Sequence, residues 1–507
     1  MSASGEHGQR LSPLDASFLR LDSPQAPMHV GWSAVLAAPG GGQRPTVEAL
    51  RERVAGRLHE VPFCRWRLEH APLGLSEPRW VDDSDFDIAA HVVALTEPDE
   101  RVSYGSFAAL RDAALSQPLD RSRPLWQIFL VPRLEDDRLA IVGKVHHALV
   151  DGIAAVQVAG LVVDREPDDA APAREPWHPE RPPSLVGWTR DAVAQTAGDG
   201  FTALRATAGA VMRPRASIRA ALQGVGRAAL AAREDILPRA PASALNAPTG
   251  ARRSLVGYHA PRSELREARA SSGGTLNDVG LAVVAGALRA LALQSGEPPR
   301  GPLKAMVPVS MRRVNETGPG NRISMPYIRL PVHLPTPKER LDWVCAQTRR
   351  LKYSDRPAGT QTLYRVAALV PPPLRTPVVR AMASPSAFNL TVSQAPVPRG
   401  SLDVLGCEVQ EIYSVVPIAE RHALAIGMVR YRGELFFGCY ADPDALPSVH
   451  ALPALLEAEL TALRSPQTRT PGPQGDSQPR KPARPRPTAR REAPRSPAAP
   501  PPRGSPA

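Results

Sequence analysis

Two apolar runs, Trp126–Val131 (WQIFLV) and Leu139–Val145 (LAIVGKV), flank the polar stretch Glu135-Asp136-Asp137-Arg138, a pattern that predicts two strands joined as a hairpin. The second run leads into His146-His147, after which Asp151-Gly152 opens an apolar segment of helical length, Ile153 to Val163. A similar succession begins the second half. Gly273-Gly274-Thr275 precedes Asn277-Asp278 and a long Ala/Leu/Val helix reaching Leu293, and strands are expected at Ala305–Val309, Phe388–Val392, Leu424–Tyr431 and Leu435–Tyr440. Strands and helices mixed in both halves predict an α/β (α+β) architecture in two domains. Between the halves, Asp164 to about Pro183 is rich in proline and charge and reads as an exposed linker, while Ser184 to Leu237 reads as helical pieces broken by Gly and Pro, a crossover rather than a domain. The expected organisation is therefore an N-terminal domain over residues 1–163, linker and helical crossover over 164–250, a C-terminal domain over 251–464, and a Pro/Arg/Ser tail over 465–507 too poor in apolar residues to order itself.

Composition sharpens this picture in three places. The length of 507 residues exceeds what one hydrophobic core usually serves, and 43% hydrophobic with 22% charged residues is ordinary for a globular enzyme. The net charge of +12 would point to nucleic acid or an anionic surface if it were spread evenly, but nine Lys or Arg against Asp476 and Glu492 concentrate +7 of it in the tail. No sequence-specific nucleic-acid partner is expected from such a tail. The cysteines Cys64, Cys345, Cys407 and Cys439 form no C-x-x-C pair, which argues against a disulfide framework or a zinc site and fits a reducing cytoplasm. The N-terminal residues lack the apolar stretch of a secretory signal, and Val279–Leu293, the most apolar segment, is interrupted by Arg289 and falls short of the roughly 18–20 residues a bilayer requires. Any membrane contact is expected to be peripheral.

The candidate chemistry sits in His146-His147-Ala-Leu-Val-Asp151-Gly152, at the end of a strand and the start of a helix. Side chains alternate across a strand, so His147 falls in phase with Leu139, Ile141 and Val145, and His146 with Lys144. Two imidazoles pointing apart do not grip one metal ion, and no nearby third ligand completes a zinc set; no metal is expected. A single imidazole at a strand end suits general-base activation of a hydroxyl, because it is largely neutral yet proton-accepting near pH 7. Asp151 either orients that histidine or pairs with a distant arginine to hold the loop, the structural role being preferred, and Gly152 lets the loop fold back tightly.

This element, taken with Leu11-Ser12-Pro13-Leu14-Asp15, Met28-His29-Val30-Gly31, Pro124-Leu125-Trp126, Leu245-Asn246-Ala247-Pro248, Asn277-Asp278, Val307–Arg312, Gly320-Asn321 and Tyr431–Gly438, resembles the wax ester synthase/diacylglycerol acyltransferase family over nearly all of residues 11–463. The resemblance implies two chloramphenicol-acetyltransferase-like domains with the catalytic histidine at their interface. His147 would deprotonate an acceptor hydroxyl, and the alkoxide would attack acyl-CoA directly, without an acyl-enzyme and without a cofactor. The implied partners are acyl-CoA and diacylglycerol or a long-chain fatty alcohol, with peripheral contact to a membrane or lipid-body surface. Asn277 is either a polar group near the reaction centre or the N-cap of the helix that follows, and Asp278 would favour that helix N-terminus by charge. Pro124 and Trp126 would shape the site by packing, and Arg312 would partner Asp151. The sequence departs from the family at Ser393-Gln394-Ala395-Pro396, where Gln394 stands in place of an asparagine. A carrier-protein-dependent condensation-like acyltransferase and a non-catalytic lipid-surface protein are the alternatives.

Overall fold

The computed structural model describes residues 9–464, except 41–43, 71–76, 151, 165–176, 181–186, 188–232, 234–237, 271–272, 311–322, 355–371 and 398–399. The crossover expected over Ser184–Leu237 and the tail after residue 464 thus lie outside the described residues, apart from Gly187 and Arg233. Two six-stranded sheets dominate the described residues, beside a three-stranded and a two-stranded one. The first runs in the order Asp403–Val404, Cys407–Val415, His29–Leu36, Leu139–His146, Trp126–Val131, Val92–Ala94. The expected hairpin is at its centre, with Trp126–Val131 antiparallel to Leu139–His146. Leu139–His146 is buried along its whole length, with Leu139, Ile141 and Val145 in one apolar cluster and Ala140 and Val142 in another. Burial on both faces explains why the run reads as almost continuously apolar. Gly143, within it, lies where any Cβ would collide with the indole of Trp32 on the neighbouring strand.

Cys407–Val415 comes from the second half of the chain, yet it pairs antiparallel with His29–Leu36 in the first sheet. The second sheet has the order Tyr327–Leu330, Leu303–Met306, Leu390–Ala395, Leu424–Tyr431, Glu434–Ala441, Ser254–Ala260. Leu390–Ala395 is parallel to both of its neighbours; helices Pro337–Lys352 and Pro372–Met382 lie on the connection from Leu303–Met306, while the connection on to Leu424–Tyr431 passes through Cys407–Val415 in the first sheet. The strand extends past the expected end at Val392 through Gln394, so the departure from the family pattern lies on a strand and not in a loop.

Helix Leu276–Gln294 backs this sheet. Thr275 is its N-cap and Asp278 its third residue, and each side chain accepts the other's backbone N–H in a capping box. Asn277 is therefore not the cap. At 19 residues the helix is longer than its sequence had indicated, and by length and composition it is apolar enough to cross a membrane. Every residue from Val279 to Leu288 is buried, however, the mark of a core helix that is apolar all round. Arg289, the interruption in the run, donates to the carbonyls of Val332 and His333 at 3.1 and 3.2 Å.

Candidate active site

The backbone of His147 is fixed from two sides. Its N–H donates to the Met28 carbonyl (2.8 Å), and the preceding His146 N–H donates to the Leu125 carbonyl (2.9 Å). The imidazole then stacks flat on Phe18, ring centroids 4.1 Å apart and planes within 2°, and its Nδ1 lies 3.1 Å from the Val150 carbonyl. A carbonyl only accepts, so Nδ1 carries the ring proton and the lone pair sits on Nε2, the tautomer that a general base uses. His147 borders a cavity of about 1010 Å³ whose walls are largely apolar, built from helix Pro13–Leu21, strand His29–Leu36, helix Gly152–Gly160, strand Leu390–Ala395 and the end of Cys407–Val415. Phe18 reaches the ring because Ser12 and Asp15 form a capping box that starts its helix firmly.

His146 leaves the strand on the opposite face. It is 2% exposed, does not border the cavity, and accepts the Ala148 N–H on Nδ1 at 3.0 Å. Its Nε2 is 3.6 Å from Asp22 Oδ1. Asp22 was not singled out by sequence reasoning, yet it ties together Phe18, Met28 and His146, three of the groups around His147. It ends the Phe18 helix by donating its N–H to the Phe18 carbonyl, accepts the Met28 N–H at 2.8 Å, and binds Arg121 at 2.7 Å. Burial alone would raise its carboxyl; the contacts with His146, Met28 and Arg121 overcome that and hold it at about 2. Asp22→Ala is expected to lower kcat about ten- to a hundredfold while leaving KM for acyl-CoA unchanged, because it releases Met28 and with it the imidazole. Asp22→Asn, which still accepts the Met28 N–H, should lose less. Steady-state kinetics of the two variants check this; an unchanged kcat in Asp22→Ala would refute it.

The other expected residues divide. Asn277 lies in the first turn of its helix and borders the cavity. Asp278 does not: it is buried, accepts from Thr275 as the capping box requires, and receives the Thr348 hydroxyl at 2.6 Å, a scaffold role. Trp126 is wholly buried, donates its indole N–H to the Cys64 carbonyl at 2.7 Å and stacks on His91; Pro124 is buried beside it. Both act by packing, through Leu125 and the register Trp126↔Val145. Gly152 opens its helix, whereas Asp151 and Arg312 lie outside the described residues. Asp164, expected at the start of an exposed linker, instead borders the cavity, pairs with Arg53 and accepts the N–H groups of Leu405 (3.0 Å) and Gly406 (2.7 Å). Ser393, Gln394, Ala395 and Pro396 all border the cavity, so the segment that departs from the family pattern faces the space a substrate would fill.

Residues 11–280 match the wax ester synthase/diacylglycerol acyltransferase catalytic domain, and residues 319–464 match the C-terminal domain of the same family. A Mycobacterium tuberculosis protein named "Probable diacylglycerol O-acyltransferase" is 30% identical over 460 residues, 89% of this chain and 95% of that one. Among solved structures, the wax ester synthase/diacylglycerol acyltransferase from Marinobacter aquaeolei superposes with a TM-score of 0.63 at 24% identity, covering 90% of this chain and 98% of that one. The first condensation domain of the calcium-dependent antibiotic synthetase shares the fold as well, with a TM-score of 0.56 at 15% identity over 92% of this chain and 98% of that one.

Proposed function

The chain belongs to the wax ester synthase/diacylglycerol acyltransferase family and is an acyltransferase, and from that premise we propose that it transfers a long-chain acyl group from acyl-CoA to diacylglycerol or a long-chain alcohol, with His147 as general base. The observation that carries this reading is the imidazole itself, locked as the Nδ1–H tautomer by Val150, stacked on Phe18 and bordering a large apolar cavity. In the proposed step, Nε2 takes the proton of the acceptor hydroxyl as its oxygen attacks the thioester carbonyl carbon. The tetrahedral intermediate collapses by breaking the carbon–sulfur bond, and the imidazolium returns its proton to the leaving thiolate, giving ester and free coenzyme A. No residue is acylated and no cofactor is consumed. Orientation in the cavity and general-base catalysis are the two contributions this chain makes. Asn277 is the polar neighbour best placed to hold a substrate oxygen, since it borders the same cavity from a helix N-terminus whose dipole favours negative charge.

The carrier-protein-dependent alternative is not favoured, since the likeness to condensation domains concerns the fold, whereas both matched domains are those of the wax ester synthase/diacylglycerol acyltransferase family. Acceptors of this kind dissolve in lipid, so the reading implies a cytoplasmic protein that visits a membrane or lipid-inclusion surface, and the +7 tail suits an anionic one. Release of free coenzyme A from palmitoyl-CoA by the purified protein, with diacylglycerol or hexadecanol as acceptor, tests the proposal. Acceptor-dependent release is expected; its absence with both acceptors would overturn the reading.

A further inference from the structure

Apart from His147, the titratable side chains that border the cavity among the described residues are Arg20, Asp164 and Arg375. Asp164 is held by Arg53 and by the N–H groups of Leu405 and Gly406. The two arginines come from helices Pro13–Leu21 and Pro372–Met382, which pack on each other, and they meet on one carboxylate. Arg20 Nη2 lies 2.5 and 2.6 Å from the two oxygens of Glu77, and Arg375 Nη1 lies 2.6 Å from the first of them. Glu77 does not itself border the cavity, so it draws the two guanidinium groups together from outside. Arg20 and Arg375 keep 19% and 21% of their side-chain surface exposed, which leaves them open to a ligand. Arg20 spends a single nitrogen on Glu77, and its Nε and Nη1 form no hydrogen bond among the described residues. A planar guanidinium with donors to spare matches the oxygens of a phosphate.

The distance of this pair from His147 selects among phosphates. Phe18 and Arg20 are two residues apart and so leave their helix about 200° apart, on nearly opposite sides. A helix is about 10–12 Å across with its side chains, and the 4.1 Å stack of His147 on Phe18 adds to that, so imidazole and guanidinium stand roughly 15 Å apart. In coenzyme A, about thirteen bonds separate the thioester sulfur from the nearer phosphorus, about 16 Å when extended. A thioester at His147 therefore brings the diphosphate to the two arginines, while the fatty chain needs only the apolar walls. We propose that Arg20 and Arg375, drawn together by Glu77, form the subsite for the phosphate groups of the acyl donor. The proposal rests on the acyl-transfer reading, which makes the donor a coenzyme A thioester. An anionic phospholipid headgroup carries the same phosphate chemistry, and the test separates the two sources.

Palmitoyl-CoA and S-palmitoyl-pantetheine share chain, thioester and arm, and only the first carries phosphate. With one acceptor held fixed, the unaltered protein is expected to prefer palmitoyl-CoA in kcat/KM by about a hundredfold. Arg20→Gln and Arg375→Gln should each cut that preference about tenfold, chiefly through KM, the usual worth of one charge-assisted hydrogen bond. Arg375→Lys, which keeps the charge and loses the fork, should lose less. An ion pair that only ties two helices together would slow both donors alike, so a preference that survives both glutamine variants overturns the proposal, as does a preference near one in the unaltered protein. Cosedimentation with phosphatidylglycerol vesicles separates the sources: vesicle binding lost in the glutamine variants, with the donor preference intact, would assign the pair to lipid headgroups instead. Calorimetric titration with coenzyme A and with pantetheine reads the subsite without turnover. Tighter binding of coenzyme A is expected even if no acceptor is acylated, whereas equal binding of the two sinks the subsite and leaves acyl transfer standing.

Discussion

Replacing His147 by alanine is expected to lower the acceptor-dependent release of coenzyme A by about a hundred- to ten-thousandfold, the usual worth of a positioned general base. The fold should survive. His147 is only partly buried, and the contacts that hold its backbone, the N–H to Met28 and the neighbouring His146 N–H to Leu125, do not involve its ring. The rate of the unaltered protein should rise with pH as the imidazole loses its proton, since only the neutral ring with its lone pair on Nε2 accepts one from the hydroxyl. That acid limb should vanish from whatever activity His147→Ala retains. Coenzyme A release with a fixed acceptor, followed across pH for both proteins, checks both points. A variant that keeps its activity, or keeps the limb, would remove His147 from the mechanism.

The second large effect concerns the neighbouring strand, at the partner of His146. His29 is 1% exposed and pairs in register with His146. Burial first, and then the nearby charges of Lys144, His146 and Arg253, push its imidazole down from 6.5 to about 3, with only Asp22 acting the other way. In the folded state it stays neutral while the unfolded chain takes up a proton, so stability is full above pH 6.5 and is lost as the pH falls towards 3. The loss amounts to at most about 5 kcal/mol at the lower limit. Asp22 adds a smaller loss further down, because its carboxyl, held at about 2, contributes stability that is complete above 3.8 and disappears as the pH falls through 2. Thermal midpoints measured between pH 7 and pH 4 should fall steeply for the unaltered protein and less steeply for His29→Asn. Identical slopes would show that His29 does not carry the acid lability. Lys144, whose ammonium donates to the carbonyls of Ala114 and Gln117 and is lowered by burial to about 8, acts in the alkaline range and leaves this window untouched.

The departure at Gln394 acquires its meaning from the same geometry. Gln394 stands where the family resemblance implies an asparagine, and the structure sets it on a strand whose residues Thr391 and Ser393 border the cavity. The segment that departs from the family pattern thus belongs to a strand that lines the substrate space.

Local patterning determined much of this protein. The hairpin Trp126–Val131 and Leu139–His146, the strand Leu424–Tyr431 and the long apolar helix after Thr275 are legible because side-chain periodicity and turn residues act over a few positions. The same periodicity put His146 and His147 on opposite faces, and that is where they stand. Only the tertiary structure decided what meets them. Cys407–Val415 enters the first sheet across hundreds of residues, Phe18 lies under the His147 ring, Asp22 gathers a helix end and two strands, and glycines of the second sheet make room for Ser414. Each of these depends on which distant surfaces pack together. That choice is made by the burial of whole faces and the closure of long loops, and no window of the sequence contains it.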